Sequence, residues 1–233
     1  MQPFLRTVGA QRATGQQGRL VLNAGAGHRS SRQLHPVFRS AQWRETRFDI
    51  DPATAPDITG SITDMRATAA SGSYDAVWSS HSLEHLHAHD VPLALAEFRR
   101  VLKPRGYAII TSPDLEAVAT LLLERGLDCV AYVSPSGPIT PRDMLFGHGD
   151  SIAQGRHAMA HRTGFTCASL GALLLEAGFP VVMGKRERFD LWMVALMDNA
   201  DRAEIESELK AAGLDISVES AEPMPAPMRR ERA

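Results

Sequence analysis

The chain has 233 residues, of which 44% are hydrophobic and 22% are charged, and its formal net charge at pH 7 is -2. This composition is typical of a globular protein with one α/β core, and it gives no general attraction for nucleic-acid phosphates. The two cysteines, Cys129 and Cys167, are too few for a disulfide framework or a cysteine-based zinc site. The sequence shows neither a signal peptide nor a run of roughly 20 apolar residues that could span a membrane. We therefore expect a cytoplasmic protein.

Strands and helices alternate in the first half of the chain. Apolar runs that end in turn residues predict strands, and apolar positions at helical spacing predict a helix that begins near Asp90. The predicted elements are strands at Arg19–Asn23, Glu45–Ile50, Tyr74–Trp78 and Tyr107–Thr111, with a helix at Val91–Leu102 that ends in the turn Lys103–Gly106. This order predicts parallel strands joined by right-handed crossovers, as in a doubly wound α/β sheet.

The last third of the chain has a different pattern. A leucine-rich helix is predicted over Cys167–Ala177, and it ends at Gly178. Strands follow at Val181–Met183 and Leu191–Leu196, joined by the polar segment Gly184–Asp190. A connection this short predicts an antiparallel pair at the end of the sheet.

The chain is expected to form one domain, over residues 19–198. Residues 1–18 read as a flexible lead-in and residues 199–233 as a C-terminal helix with a loose tail. An insertion over about residues 112–165 holds a predicted helix, Leu115–Arg125, and a turn-rich stretch, Ser134–Arg162. Long connections in compact domains are usually lids or binding loops, or else disordered. We expect this one to close over a ligand.

A glycine turn follows the first predicted strand. Ala24-Gly25-Ala26-Gly27 lets a ligand approach the backbone, and Asp49 or Asp51, about 20 residues on, can accept hydrogen bonds from ribose hydroxyls. Each feature alone has an ordinary explanation, a tight turn or a solvated strand end. Their spacing predicts a nucleoside site.

Five segments in chain order resemble the class I S-adenosylmethionine-dependent methyltransferases, and the resemblance runs from about Arg19 to Met197. The segments are Leu22–Gly27, Asp49–Pro52, Asp64-Met65, Tyr74–Leu86 and Arg100–Gly106. The resemblance implies a Rossmann-like, mostly parallel sheet with an antiparallel last strand. It also implies S-adenosyl-L-methionine as the cofactor and methyl transfer as the reaction.

The resemblance assigns roles to residues that follow the strands. It implies that Gly25 and Gly27 lie beneath the methionine part of the cofactor and that Asp49, with Asp51 as a close second, holds the ribose. Asp64 would bind the adenine amino group, and Met65 would pack on the ring. The remaining expected cofactor contacts are Asn23, a neutral partner for the amino group, with Ala24, Ile50, Ser79 and Ser80.

Four histidines, His81, His85, His87 and His89, follow the Tyr74–Trp78 strand. In the resemblance, His81 and His85 fall at the edge of the active site, where an imidazole could take a proton from a hydroxyl or amine acceptor. These two are the candidate catalytic residues. His87 and His89 are interpreted as solvated or packing side chains. We expect no metal ion, because no cysteine and no evident carboxylate set accompanies the histidines.

A second histidine group, His148, His157 and His161, lies in the insertion together with several arginines. A lid with these side chains would suit an acceptor that carries a carboxylate or phosphate, and a solvated surface loop is the alternative. We expect a small-molecule acceptor, with no nucleic-acid or membrane partner, and the sequence does not define the oligomeric state.

Two other functions fit part of this pattern. An NAD-dependent oxidoreductase also uses a glycine turn and an acidic strand end, but Ser30 occupies the position of its third glycine and little chain remains for a catalytic domain. A scaffold that binds a nucleoside without catalysis would keep Gly25, Gly27 and Asp49. The sequence favours the methyltransferase.

Overall fold

The structure is a computed structural model that describes residues 18–29 and 34–216. The expected lead-in and tail fall almost entirely outside these ranges. Its main element is a seven-stranded sheet in the order β3-β2-β1-β4-β5-β9-β8. The strands are β1 Arg19–Ala24, β2 Trp43–Asp49, β3 Ile58–Thr59, β4 Tyr74–Ser80, β5 Leu102–Pro113, β8 Val181–Glu187 and β9 Asp190–Leu196.

One strand of this sheet is reversed. Strands β1 to β5 pair in parallel, whereas β9 is antiparallel to both β5 and β8. The predicted doubly wound, mostly parallel α/β sheet with an antiparallel last strand is therefore confirmed. Because β1, β2 and β4 run in the same direction, the segments that follow them meet at one edge of the sheet.

Apolar layers cover both faces of the sheet. Neighbouring residues along β1 and β4 point to opposite faces, so Leu22 and Val77 belong to one layer and Val21 and Trp78 to the other. The first layer packs against α1 (Val91–Val101) and α5 (Cys167–Glu176), and the second packs against α6 (Arg202–Ala211). No helix of the described residues is long and apolar enough to cross a membrane.

Two predicted boundaries were wrong. The segment Lys103–Gly106 was expected to end a helix, but α1 ends at Val101 and β5 already begins at Leu102. The pairing of β5 with β4 shifts between Tyr74 and Ala76, so these four residues bulge out of a continuous strand. The polar stretch after Met183 was expected to be a connection, but β8 continues to Glu187 and a two-residue turn leads into β9. An edge strand can remain polar because it is half exposed.

The insertion is folded and lies against the sheet edge. Helix α2 spans Leu115–Arg125 as predicted. The residues 132–162, here called the covering segment, contain the hairpin β6 (Tyr132–Ser134) and β7 (Gly137–Ile139) and the short helices α3 (Pro141–Phe146) and α4 (Gly149–Ala153). A small apolar cluster joins the segment to α2 through Val118, Leu121, Ile139 and Met144. The stretch predicted to be rich in turns is therefore largely built from short regular elements.

Candidate active site

The glycine turn after β1 is held in a conformation that requires glycine. The φ angles of Gly25 and Gly27 are +76° and +59°, in the left-handed region. A Cβ atom at Gly25 would also overlap the hydroxyl of Ser82, which itself donates a hydrogen bond to the carbonyl of Ala24 at 3.2 Å. The turn therefore packs directly against the segment that follows β4.

Polar and charged side chains support the glycine turn through hydrogen bonds. The guanidinium of Arg47 donates to the carbonyls of Ala26 (3.1 Å) and Gly27 (2.7 Å). Asn23 is buried and donates to Glu45 at 2.7 Å, and Glu45 also pairs with Arg47. Asn23 and Ala24 therefore support the turn and do not line the cavity described below.

Asp49 closes the turn at the end of β2. Its carboxylate accepts the backbone N–H of Gly27 at 2.7 Å and that of Asp51 at 2.9 Å. A carboxylate oxygen has a second lone pair, so both oxygens can still accept a hydroxyl. Asp49 is thus oriented before any ligand binds.

A cavity of about 1000 Å³ opens in front of the turn. Its first end is lined by residues that follow β1, β2 and β3: Gly25, Gly27, Asp49, Ile50, Asp51, Gly60, Ser61 and Ile62. Ile50 is 64% exposed although it is apolar. Ile50 therefore presents apolar surface at the rim of the cavity.

The structure does not bring Asp64 and Met65 to this cavity. Asp64 faces solvent and forms an ion pair with Arg66 at 2.8 Å, and Met65 is fully buried in the core with its N–H bound by Glu97. Ser61 and Ile62 line the cavity instead, and neither residue is predicted from the sequence. They follow the short strand β3, which has too few residues for a recognisable pattern.

The second end of the cavity is formed by His81 and its carboxylate neighbours. His81 has a left-handed backbone (φ +49°), and its ring nitrogens Nδ1 and Nε2 lie 3.2 Å from Glu84 and 3.5 Å from Asp190. Burial alone would lower the pKa of His81, but the interaction with the Glu84 and Asp190 carboxylates raises it. Burial would likewise raise the pKa of Glu84, but His81 lowers it. Burial raises the pKa of Asp190.

His85 and His161 meet across the cavity wall, with ring centroids 5.0 Å apart. His85 Nδ1 lies 3.2 Å from the carbonyl of Ala160, and His161 Nδ1 lies 2.9 Å from the carbonyl of Met144. Burial lowers the pKa of His161. In the sequence His85 and His161 belong to separate groups of histidines, and the fold brings the two rings into contact.

The other predicted residues occupy different places. Ser80 lines the cavity, whereas Ser79 is buried in β4 and its hydroxyl has no hydrogen-bond partner among the described residues. His148 and His157 also line the cavity. His87 and His89 are exposed, with stacked rings 5.5 Å apart.

Comparison with known proteins agrees with this architecture. Residues 22–110 match the family model described as a methyltransferase domain. An S-adenosylmethionine-dependent methyltransferase from Archaeoglobus fulgidus superposes with a TM-score of 0.51 at 13% identity, over 78% of this chain and 87% of that chain. The trans-methyltransferase CalH, solved with S-adenosylhomocysteine, has a TM-score of 0.51 at 14% identity, over 78% of this chain and 52% of that chain. Among curated proteins, none matches the chain.

The reversed strand, the glycine turn and the acidic end of β2 define a Rossmann-like α/β domain, and residues 22–110 of this domain match the methyltransferase-domain model.

Proposed function

We propose that this chain is a class I S-adenosylmethionine-dependent methyltransferase, and that it transfers the methyl group of S-adenosylmethionine to a small molecule enclosed between the glycine turn and the covering segment. The supporting observation is the continuity of the cavity. One space of about 1000 Å³ reaches from Gly25 and Asp49 to His81 and the covering segment. This volume is at the upper end of ligand pockets, which run to about 1,000 Å³, and it gives room for a cofactor beside a small acceptor.

The first end of the cavity fits the cofactor. The backbone of Gly25 and Gly27 faces the methionine part, and the remaining lone pairs of Asp49, with Asp51 beside it, accept the ribose hydroxyls. The adenine ring packs between Ile50 and Ile62, the two isoleucines of this end. These assignments keep the expected roles of the glycines and aspartates and move the adenine contact from Asp64 and Met65 to Ser61 and Ile62.

The second end fits the acceptor. His81 lies at the junction of the two ends, between Glu84 and Asp190. Its raised pKa favours the charged ring, so His81 would donate a hydrogen bond to an oxygen of the acceptor or compensate an anionic group on it, and would act as a base only above that raised pKa. Methyl transfer from a sulfonium depends mainly on positioning the two reactants, and the walls of the cavity supply this.

Calorimetric titration tests the cofactor assignment. Wild-type protein should bind S-adenosylmethionine and S-adenosylhomocysteine, and NAD should not bind. The variant G25A should bind S-adenosylhomocysteine at least tenfold more weakly, about 1.4 kcal/mol, because its Cβ would displace Ser82 and the turn. The matched control is G72A, since Gly72 also has a left-handed φ of +63° but has no atom within 4 Å of an added Cβ.

A second pair of variants tests the adenine contact without touching the core. I50D should weaken S-adenosylhomocysteine binding. L123D should not, because it changes a still more exposed leucine (86% exposed) on α2, away from the cavity. Normal binding by both G25A and I50D would show that the cofactor site is misplaced. Tight binding of NAD by the wild type would favour the oxidoreductase instead.

We also propose a cytoplasmic location. The support is the low cysteine content, since two cysteines are too few for the disulfide framework that is typical of exported proteins.

A further inference from the structure

Three side chains with metal-binding atoms converge where the covering segment meets the turn after β4. Glu84, His85 and His161 each present one ligand atom, and these atoms lie within 4.8 Å of one another. All three residues line the acceptor end of the cavity. The sequence does not show this cluster, because about 75 positions separate His85 from the part of the covering segment that holds His161.

The two imidazoles are oriented as in metal sites. Each Nδ1 lies within hydrogen-bond distance of a main-chain carbonyl, that of Ala160 for His85 and that of Met144 for His161. A carbonyl oxygen can only accept, so each Nδ1 carries the proton and each Nε2 keeps a free lone pair. Metal-binding histidines almost always donate their second ring nitrogen to such a partner.

The carboxylate is short of partners. The side chain of Glu84 is 1% exposed, and its Oε2 accepts only a long hydrogen bond from Ser112 at 3.3 Å. Its Oε1 lies 3.2 Å from His81 Nδ1 but makes no hydrogen bond of acceptable geometry with any described residue. Glu84 therefore keeps buried lone pairs that a metal ion could use, in addition to the nearby ring of His81.

We propose that Glu84, His85 and His161 bind one divalent transition-metal ion, such as Zn²⁺, and that this ion holds an oxygen atom of the methyl acceptor. Two imidazoles and one carboxylate form a donor set that suits Zn²⁺ and its first-row neighbours. Three protein ligands leave at least one coordination position open, as in catalytic metal sites. The open position faces the cavity, because all three residues line it.

The contact between the ion and the methyl acceptor rests on the proposed function, whereas the binding of an ion by the three residues does not. Without an ion, the residues at the acceptor end can bind a ligand's oxygen atoms mainly through hydrogen bonds. An ion would add a fixed, charged contact that orients a hydroxyl or carboxylate of the acceptor. It would also bind the covering segment, through His161, to the turn that carries Glu84 and His85.

The test uses the full chain without a histidine tag, depleted of metal with a chelator. It is titrated with Co²⁺, followed by visible absorption, and with Zn²⁺, followed by calorimetry. Wild-type protein should bind one ion per chain with micromolar or tighter affinity. The variant H161Q should bind at least tenfold more weakly, and H157Q should bind like the wild type, because His157 lines the same cavity but lies outside the cluster.

Thermal unfolding of each variant shows whether it is folded. E84Q serves as a second variant that keeps the shape of the buried side chain, and it should also bind the ion at least tenfold more weakly. The proposal would be overturned if the wild type bound no stoichiometric ion, or if H161Q and E84Q bound the ion as tightly as the wild type. S-adenosylhomocysteine binding is measured on the same samples. If the wild type did not bind it, the proposed function would be contradicted, whereas the proposed metal site would not be affected.

Discussion

His35 should make the stability of this protein depend on pH. The residue is 6% exposed, and its ring packs against those of Trp78 and Trp192, with centroids 5.5 and 5.6 Å away. Its Nδ1 accepts the N–H of Val37, which requires an unprotonated nitrogen. Burial, with a smaller contribution from the charge of Arg39, lowers the pKa of His35 from 6.5 to about 4.

The sign and size of the effect follow from this lowered pKa. Between pH 6.5 and about 4 the unfolded chain binds a proton at His35 and the folded chain does not, so stability is lost as the pH falls through this range. From pH 7 to pH 5 the loss is about 2 kcal/mol, a substantial fraction of a typical domain stability of roughly 5–15 kcal/mol.

Urea unfolding at pH 7, 6 and 5 measures this loss. Other groups titrate in the same range, so the informative quantity is the difference between the wild type and H35F. The free energy of unfolding of the wild type should fall about 2 kcal/mol more than that of H35F between pH 7 and pH 5. H89Q, which changes an exposed histidine, should follow the wild type. Parallel curves for the wild type and H35F would refute the argument that His35 stays neutral when folded.

Three further substitutions have defined outcomes. G147A places a Cβ against the carbonyl of Met159 at a φ of +93°, so trypsin should cleave the covering segment faster than in the wild type. The matched control is G155A, where φ is +88° but no atom lies near the added Cβ. R47M removes the charged hydrogen bonds that brace the glycine turn, and calorimetry should show weaker S-adenosylhomocysteine binding together with a stability loss of about 1.5–3 kcal/mol. L170A empties a fully buried position of α5, and urea unfolding should show a loss of about 2–5 kcal/mol with cofactor affinity unchanged.

The parts of the fold that were predicted correctly are those where the local pattern and the tertiary environment agree. Helix α2 and the central strands have apolar positions at a regular period, because a buried face selects for them. The errors lie where long-range pairing overrides local signals. Lys103–Gly106 has the composition of a turn, yet pairing with β4 continues on both sides of it. Likewise, β8 is strand at Lys185 because β9 lies beside it.

The sequence predicted those parts of the cavity wall that follow the strands, among them the glycine turn, Asp49 and His81. The glycine turn and Asp49 lie at strand ends, and the carboxyl ends of parallel strands meet at one edge of a sheet. The approach of His161 to His85 depends instead on how the covering segment folds, which no periodicity encodes. For the same reason the histidines after β4 gave no indication of a metal, since Glu84 and His85 are an incomplete donor set without His161.

The main-chain carbonyl of Glu84 holds the end of the covering segment in place. It accepts the N–H groups of Arg162 at 2.8 Å and Thr163 at 3.2 Å, so the end of the covering segment is fastened to the residue whose side chain lies beside His81. Any motion that lifts this end of the segment must break these two bonds. We therefore expect such a motion to change the surroundings of Glu84 and His81 at the same time.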